Sequence, residues 1–283
     1  MTTNAAKAFF MKWGYLCVPS AFRESDSLRM QDWMWRRMRQ VHGIERDDPA
    51  TWNVAWPAAH VTEQQSGLSP ARMATPAFHT AADALLGTNA WRLPQEWSGA
   101  LVSFPRRDGA SWTVVADGWH WDTDVTAHLD GSRSLLIFAV FSPIEPQGGG
   151  TLLLAGSHHL LHRFFAAMTP AQQAAKRKAQ REQFHRSSPY LAALTGKEPF
   201  DGDRIAHFMA EADDNGGAVR VVEVTGQPGD AFVCHPSLLH AVSINCRTVP
   251  RLMRTTQAQK VRMNKQQARS SELPGRSTLQ QAG

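Results

Sequence analysis

Apolar positions in the first forty residues repeat with a helical period broken once by glycine. Phe9, Phe10, Met11 and Trp13 suggest a short helix that passes through Gly14 into a strand-like Tyr15-Leu16-Cys17-Val18, stopped by Pro19. A longer amphipathic helix follows the cap candidates Ser25, Asp26 and Ser27. Met30, Trp33, Met34, Met38 and Val41 recur at helical spacing, and Gly43 closes the run. A Met and Trp stripe of this kind reads as core. Residues 45–98 hold scattered prolines and tryptophans with weak periodicity, apart from a short helix around 76–86, and are expected to cover a sheet.

From residue 100 the period changes to that of strands. Eight short β-rich runs, at 100–104, 112–116, 134–141, 151–155, 219–224, 230–234, 241–244 and 252–257, are separated by Gly, Pro and Asp turns. This predicts a mainly β protein with flanking helices, its core an antiparallel double sheet closed as a jelly roll. The stretch 165–218 interrupts the pattern: Thr169-Pro170 offers a cap and a first helical residue, and a Gln, Ala, Lys and Arg-rich segment follows. It is expected to be a helical insertion over one mouth of the barrel. Residues 1–263 are assigned to one domain, and 264–283, rich in Gln, Ser, Arg and Gly, to a disordered tail.

Composition narrows the class. With 283 residues, 42% of them hydrophobic, the chain can bury a core, and it has neither an 18-residue apolar run nor a basic-then-apolar leader. A cytoplasmic protein without a membrane span is expected. Cys17, Cys234 and Cys246 have no CxxC spacing, which excludes a disulfide framework or a thiolate zinc site and predicts reduced thiols. The net charge of +5 is concentrated in 247–276, where Arg247, Arg251, Arg254, Lys260, Arg262, Lys265, Arg269 and Arg276 face only Glu272. The rest is close to neutral, so a solvated basic end is favoured over nucleic-acid binding, and a small-molecule substrate is the expected partner. Oligomeric state is not legible.

The candidate chemistry lies in Trp119-His120-Trp121-Asp122 and, 118 residues after the aspartate, His240. On a strand, residues 120 and 122 point to the same side while Trp121 points into the packing layer. His240 begins a predicted strand and can bring a third ligand from elsewhere in the barrel. Two imidazoles and one carboxylate on one face of an ion leave three adjacent positions open, as in non-haem Fe(II) oxygenases. His-x-Asp alone is a common pair among twelve histidines, and its neighbours add the specificity.

His120-Trp121-Asp122, Gly149-Gly150-Thr151-Leu152 leading to Gly156-Ser157-His158, Gly229-Asp230 leading to His240, then Asn245 and Arg251, occur in an order that resembles the phytanoyl-CoA dioxygenase family of Fe(II)/2-oxoglutarate oxygenases. The opening from Phe10 to Pro19 is similar as well, so the resemblance spans about 8–260. It implies a double-stranded β-helix, cupin-like core, with Fe(II) held by His120, Asp122 and His240 and with 2-oxoglutarate and O2 as cosubstrates. It also implies that Arg251 grips the distal carboxylate of 2-oxoglutarate, which its planar fork matches. Arg254 is the rival, but strand alternation places it on the opposite face.

The chain departs from the family in one respect. A hydroxyl residue often lies two positions after the last histidine, whereas here that position is Val242. Ser243 or Thr151 is left to assist the carboxylate.

The reaction implied is hydroxylation of an unactivated C–H bond of a small or medium metabolite, with release of succinate and CO2. The retained Asp122 argues against halogenation. Desaturation, cyclisation, an acyl-CoA substrate and a non-redox metal-binding jelly roll stay open. Gln147-Gly148-Gly149-Gly150 reads as a tight turn, since no lysine or helix start follows it. Arg106 and Arg107 fit either a substrate anion or a solvated loop.

Overall fold

The computed structural model describes residues 3–54, 68–125 and 133–261. The expected disordered tail at 264–283, with Arg262, Lys265, Arg269 and Arg276, lies outside them. In chain order the elements are α1 (Thr3–Trp13), β1 (Tyr15–Val18), α2 (Glu24–His42), α3 (Pro70–Met73), α4 (Pro76–Leu86), β2 (Trp91–Arg92), β3 (Ala100–Ser103), β4 (Ser134–Val140) and β5 (Leu152–Ala155). Then come α5 (Ser157–Ala166), α6 (Pro170–Gln173), α7 (Arg177–His185), α8 (Pro189–Leu194), α9 (Arg204–Met209), β6 (Ala212–Asp213), β7 (Ala218–Glu223), β8 (Ala231–Cys234), β9 (His240–Ala241) and β10 (Arg251–Lys260).

The strands form a jelly roll of two antiparallel sheets. The larger has the order β1-β8-β4-β10-β2, with β3 also paired to β10, and the smaller the order β6-β7-β5-β9. Period-two alternation divides the apolar side chains into three layers. Leu136, Phe138 and Met253 of the large sheet meet Leu153 and Val224 of the small one in the interior between them. On its other face the large sheet presents Ile137, Ala139 and Leu252 to Met30, Met34 and Met38 of α2 and Phe78 of α4. The small sheet's other face, with Leu152, Leu154, Val219 and Val221, is covered by Phe165, Phe184, Leu191 and Phe208. Apart from Ala139, each of these buried side chains contributes about 1.5–3 kcal/mol of transfer free energy.

Helix α2 carries the methionine stripe at i, i+4 and i+8, and Gly43 ends it with φ 65°. Its amino end differs from expectation: Arg23 is the cap residue and has no side-chain cap bond. Asp26 is inside the first turn, taking the Arg23 guanidinium at 2.7 Å, and Ser27 donates back to the Arg23 carbonyl at 3.0 Å. Carboxylates in a first helical turn suit its dipole, so cap-type residues were accommodated there. Trp33 is only half-buried and Val41 is exposed, which makes the stripe narrower than predicted.

Two further corrections concern strands and the insertion. Residues 112–116 are not a strand, because their carbonyls are satisfied by a side chain: Arg204 donates to Val114 O at 2.7 Å and Val115 O at 3.2 Å. The insertion does begin with Thr169 capping α6 through a reciprocal box with Gln172. It lies mainly on the outer face of the small sheet, where its aromatic and leucine side chains find an apolar partner, and α7 extends to His120 and Asp122. Among the described residues no helix is long and apolar enough to cross a membrane.

Candidate metal centre and cosubstrate pocket

The structure brings His120, Asp122 and His240 together: one ligand atom from each lies within 4.8 Å of the others. His120 and His240 face one another across an antiparallel bridge, with mutual backbone hydrogen bonds of 2.9 Å. Leu153 of β5 pairs with His240, which fixes the histidine on the interior side of the small sheet. The backbone around residue 120 is a single bridge instead of a full strand, yet the alternation holds. Trp121, 1% exposed, turns into the helical layer and packs edge-on against Phe165 and Phe184.

Both imidazoles are oriented by the same local device. His120 Nδ1 lies 2.6 Å from Gly118 O, and His240 Nδ1 lies 3.0 Å from Leu238 O. A carbonyl only accepts, so each Nδ1 carries a proton and each Nε2 is the ring atom left to face an ion. Those Nε2 atoms lie 3.5 Å and 3.3 Å from the two Asp122 carboxylate oxygens. Contact with His240 holds the Asp122 carboxyl below its ordinary range, and burial, then the neighbouring His240, hold His120 below its own. A His120 imidazole held neutral and a carboxylate held ionised are the protonation states a divalent ion requires. The T-shaped packing of Phe138 on His240, at 5.4 Å between centroids, closes the interior side.

Arg251 starts β10 and shares a face with Met253, inside the barrel. It is 1% exposed, its Nε has no hydrogen-bond partner, and Nη1 reaches only the Met253 sulfur at 3.9 Å. Burial pushes its ordinary value down to about 10. Among the described residues it forms no ion pair, so a buried cation is left with donors to spare. Thr151 Oγ1 is also buried without a partner, on the same side of β5 as Leu153. An anionic cosubstrate carrying a carboxylate fits these orphaned groups. Ser243 is differently disposed: its Oγ accepts the Trp112 indole N–H at 2.9 Å. Arg254 lies on the opposite face, 5.7 Å from the Trp33 ring centroid and donating to Ser98 O at 2.9 Å.

Several residues that sequence reasoning passed over also shape the site. Glu223 accepts from Gln147 N at 2.7 Å and Gly150 N at 3.1 Å, pinning the glycine-rich turn. A Cβ at Gly150 would collide with the Val224 carbonyl, which accounts for that glycine. Burial raises Glu223 to about 7. From α7, Arg177 donates to the Asp122 carbonyl at 3.3 Å and Arg181 lies 5.7 Å from the Trp121 ring centroid. A cavity of about 630 Å³ opens at His120, lined among others by Thr113, Val115, Ala116, Val242 and Ile244. Arg106 is at its rim but is paired with Asp108.

A jelly roll that brings two oriented histidines and a carboxylate to one point and holds an unpaired arginine in its interior defines the class of iron- and 2-oxoglutarate-dependent oxygenases. The sequence profile for phytanoyl-CoA dioxygenase (PhyH) matches residues 10–251, and the chain belongs to that family. The enzyme is an oxygenase that uses iron and 2-oxoglutarate.

Among curated proteins no sequence match is found. The fold is similar to that of EctD from S. alaskensis in its apoform, at 16% identity, TM-score 0.50, and coverage of 92% of this chain and 77% of that one. AviO1 from Streptomyces viridochromogenes Tue57 is 14% identical with TM-score 0.50, covering 93% and 97%. The non-heme alpha-ketoglutarate-dependent epimerase SnoN from nogalamycin biosynthesis is 16% identical with TM-score 0.48, covering 91% and 83%.

Proposed function

We propose that this enzyme hydroxylates an unactivated C–H bond of a small or medium-sized metabolite. His120, Asp122 and His240 hold Fe(II), and Arg251, assisted by Thr151, holds the distal carboxylate of 2-oxoglutarate. The observation that carries the reading is the convergence of two Nδ1-anchored imidazoles and one carboxylate on a common point. Iron, 2-oxoglutarate and dioxygen together supply the oxidant that cleaves the C–H bond, and 2-oxoglutarate leaves as succinate and CO2.

The chain's own residues perform binding, orientation and exclusion of water. Gly118 O and Leu238 O fix the imidazole planes, so the ligand set needs little reorganisation when the metal enters. Arg251 receives a carboxylate inside the barrel, where a charge-assisted pair is stronger than at a surface. Thr151 is favoured over Ser243 as its helper, because the Ser243 hydroxyl already serves Trp112. The cavity at His120 has an apolar wall, which suits a compact carbon skeleton brought against the ligand face. Retention of Asp122 supports hydroxylation over halogenation. The free state of Cys17, Cys234 and Cys246 supports a cytosolic setting.

Succinate release tests the reading. Purified protein given Fe(II), 2-oxoglutarate and air should release succinate slowly, and a metabolite panel should contain compounds that accelerate it and gain one oxygen atom in mass. Loss of two hydrogens instead would replace hydroxylation by desaturation. Turnover confined to CoA thioesters would overturn the size assignment, and metal binding with no succinate from any compound would overturn the oxygenase reading.

A further inference from the structure

Beside the apolar cavity lies a second recess, of about 270 Å³, whose lining includes Asp117, Gly118, Arg181, His185 and Lys197. The two cavities share Asp117 and Gly118 as a common wall. That wall is tied to the metal centre, since the Gly118 carbonyl holds the His120 imidazole at 2.6 Å. Gly118 and His120 are two residues apart, so their Cα atoms are separated by no more than about 7 Å. The recess and the cavity therefore lie side by side next to the ligand His120.

The recess is lined by side chains that carry buried polar nitrogens without a partner. His185 is 5% exposed and its Nε2 has no hydrogen-bond partner, and the same holds for the buried Nε of Arg181. Both side chains line the recess. Glu182 does not satisfy them, because it is bound by Lys197 Nζ at 2.6 Å and by Arg186 Nε at 2.8 Å. Lys178 adds a further positive charge at the mouth. A buried unsatisfied polar nitrogen costs about 1–3 kcal/mol, and two side chains that each carry one and line the same recess mark a ligand site more readily than a packing defect. The other arginine at the cavity rim, Arg106, is already neutralised by Asp108.

We propose that the substrate carries an acidic group, a carboxylate or a phosphate, which sits in this recess against Arg181 and His185 while the carbon to be oxidised lies in the apolar cavity beside His120. This rests on the oxygenase reading for the identity of the bound molecule as substrate. Insertion of α7 over the jelly roll then has a purpose in recognition. It supplies the acid-binding side chains and, through Arg177 on the Asp122 carbonyl, braces the metal ligand from the same helix.

The test is calorimetric titration of the full chain, loaded with Fe(II) and 2-oxoglutarate without oxygen, with inorganic phosphate and separately with acetate. At least one anion should bind saturably, and the arm that responds identifies the acid. Binding should weaken at least tenfold in Arg181→Gln and in His185→Gln and two- to threefold in the exposed Lys178→Gln, which leaves the core untouched. It should be unchanged in the remote Arg46→Gln. No saturable binding in either arm, or equal binding in wild type and all three recess variants, overturns the proposal. The visible band formed by Fe(II) with 2-oxoglutarate separates the two readings: a silent anion titration on protein that shows the band removes the recess alone. Anion binding without the band leaves the recess and removes the oxygenase reading.

Discussion

Two regions separated by one strand use arginine in opposite ways. On the outer face of β10, in the layer sealed by α2, Arg254 is stacked near Trp33 and donates to Ser98 O. On the inner face, between the sheets, Arg251 is just as buried, and its guanidinium reaches only the Met253 sulfur at 3.9 Å. Three residues apart, the first cation completes a packing layer and the second waits for a ligand. The lesson is that burial alone does not distinguish structure from function in this fold; what the guanidinium reaches does, a carbonyl and an indole for Arg254 against a thioether sulfur for Arg251.

The comparison is broken most severely from the interior side. His240→Ala removes an oriented imidazole, and succinate release should fall by more than about 1,000-fold, equivalent to over ~4 kcal/mol, while thermal unfolding stays cooperative. Met34→Ala attacks the sealed layer instead: this side chain is 0% exposed, and its truncation should cost about 2–5 kcal/mol in denaturant unfolding. Iron binding by the folded fraction should be unaltered.

The two arginines give the sharpest contrast. Arg251→Met should raise the 2-oxoglutarate concentration needed for half-maximal turnover about 100-fold, or ~2.7 kcal/mol. Stability without cosubstrate should be equal or higher, since a buried uncompensated charge is removed. Arg254→Met should do the reverse, leaving 2-oxoglutarate affinity within about threefold and costing roughly 1–3 kcal/mol of stability. Equal behaviour of the two variants in both assays would erase the distinction.

The smallest effect is a pH slope. Glu223 titrates at about 7 in the folded protein, above its ordinary value of 4.5. The folded state therefore holds a proton that the unfolded state has released, and stability falls as pH rises through that window. Glu223→Gln should flatten this part of the stability profile between about pH 5 and 8. A steeper fall in the variant would contradict the assignment.

Much of this architecture was legible in the sequence because it depends on local period. The methionines of α2, the strands β3, β4, β5, β7 and β8, and the same-side placement of His120 and Asp122 follow from spacing. The opposite faces of Arg251 and Arg254 follow from the same rule. What escaped depends on long-range contacts. Residues 112–116 have a strand-like composition, but Arg204 takes their carbonyls from 90 residues away. Trp112 occupies the Ser243 hydroxyl across 131 residues. Arg181 and His185 lie in a polar stretch whose composition says only that it is helical and solvated, and their meaning appears once α7 is packed beside Gly118.

The central claim is that three convergent ligands and one unpaired arginine form a single iron and 2-oxoglutarate site. An anaerobic titration of metal-free protein with Fe(II) and then 2-oxoglutarate tests it most directly. A visible metal-to-ligand charge-transfer band should develop on the second addition, vanish in His120→Ala, and require far more 2-oxoglutarate in Arg251→Met. Iron binding without a band, or a band unaffected by both substitutions, would contradict the account.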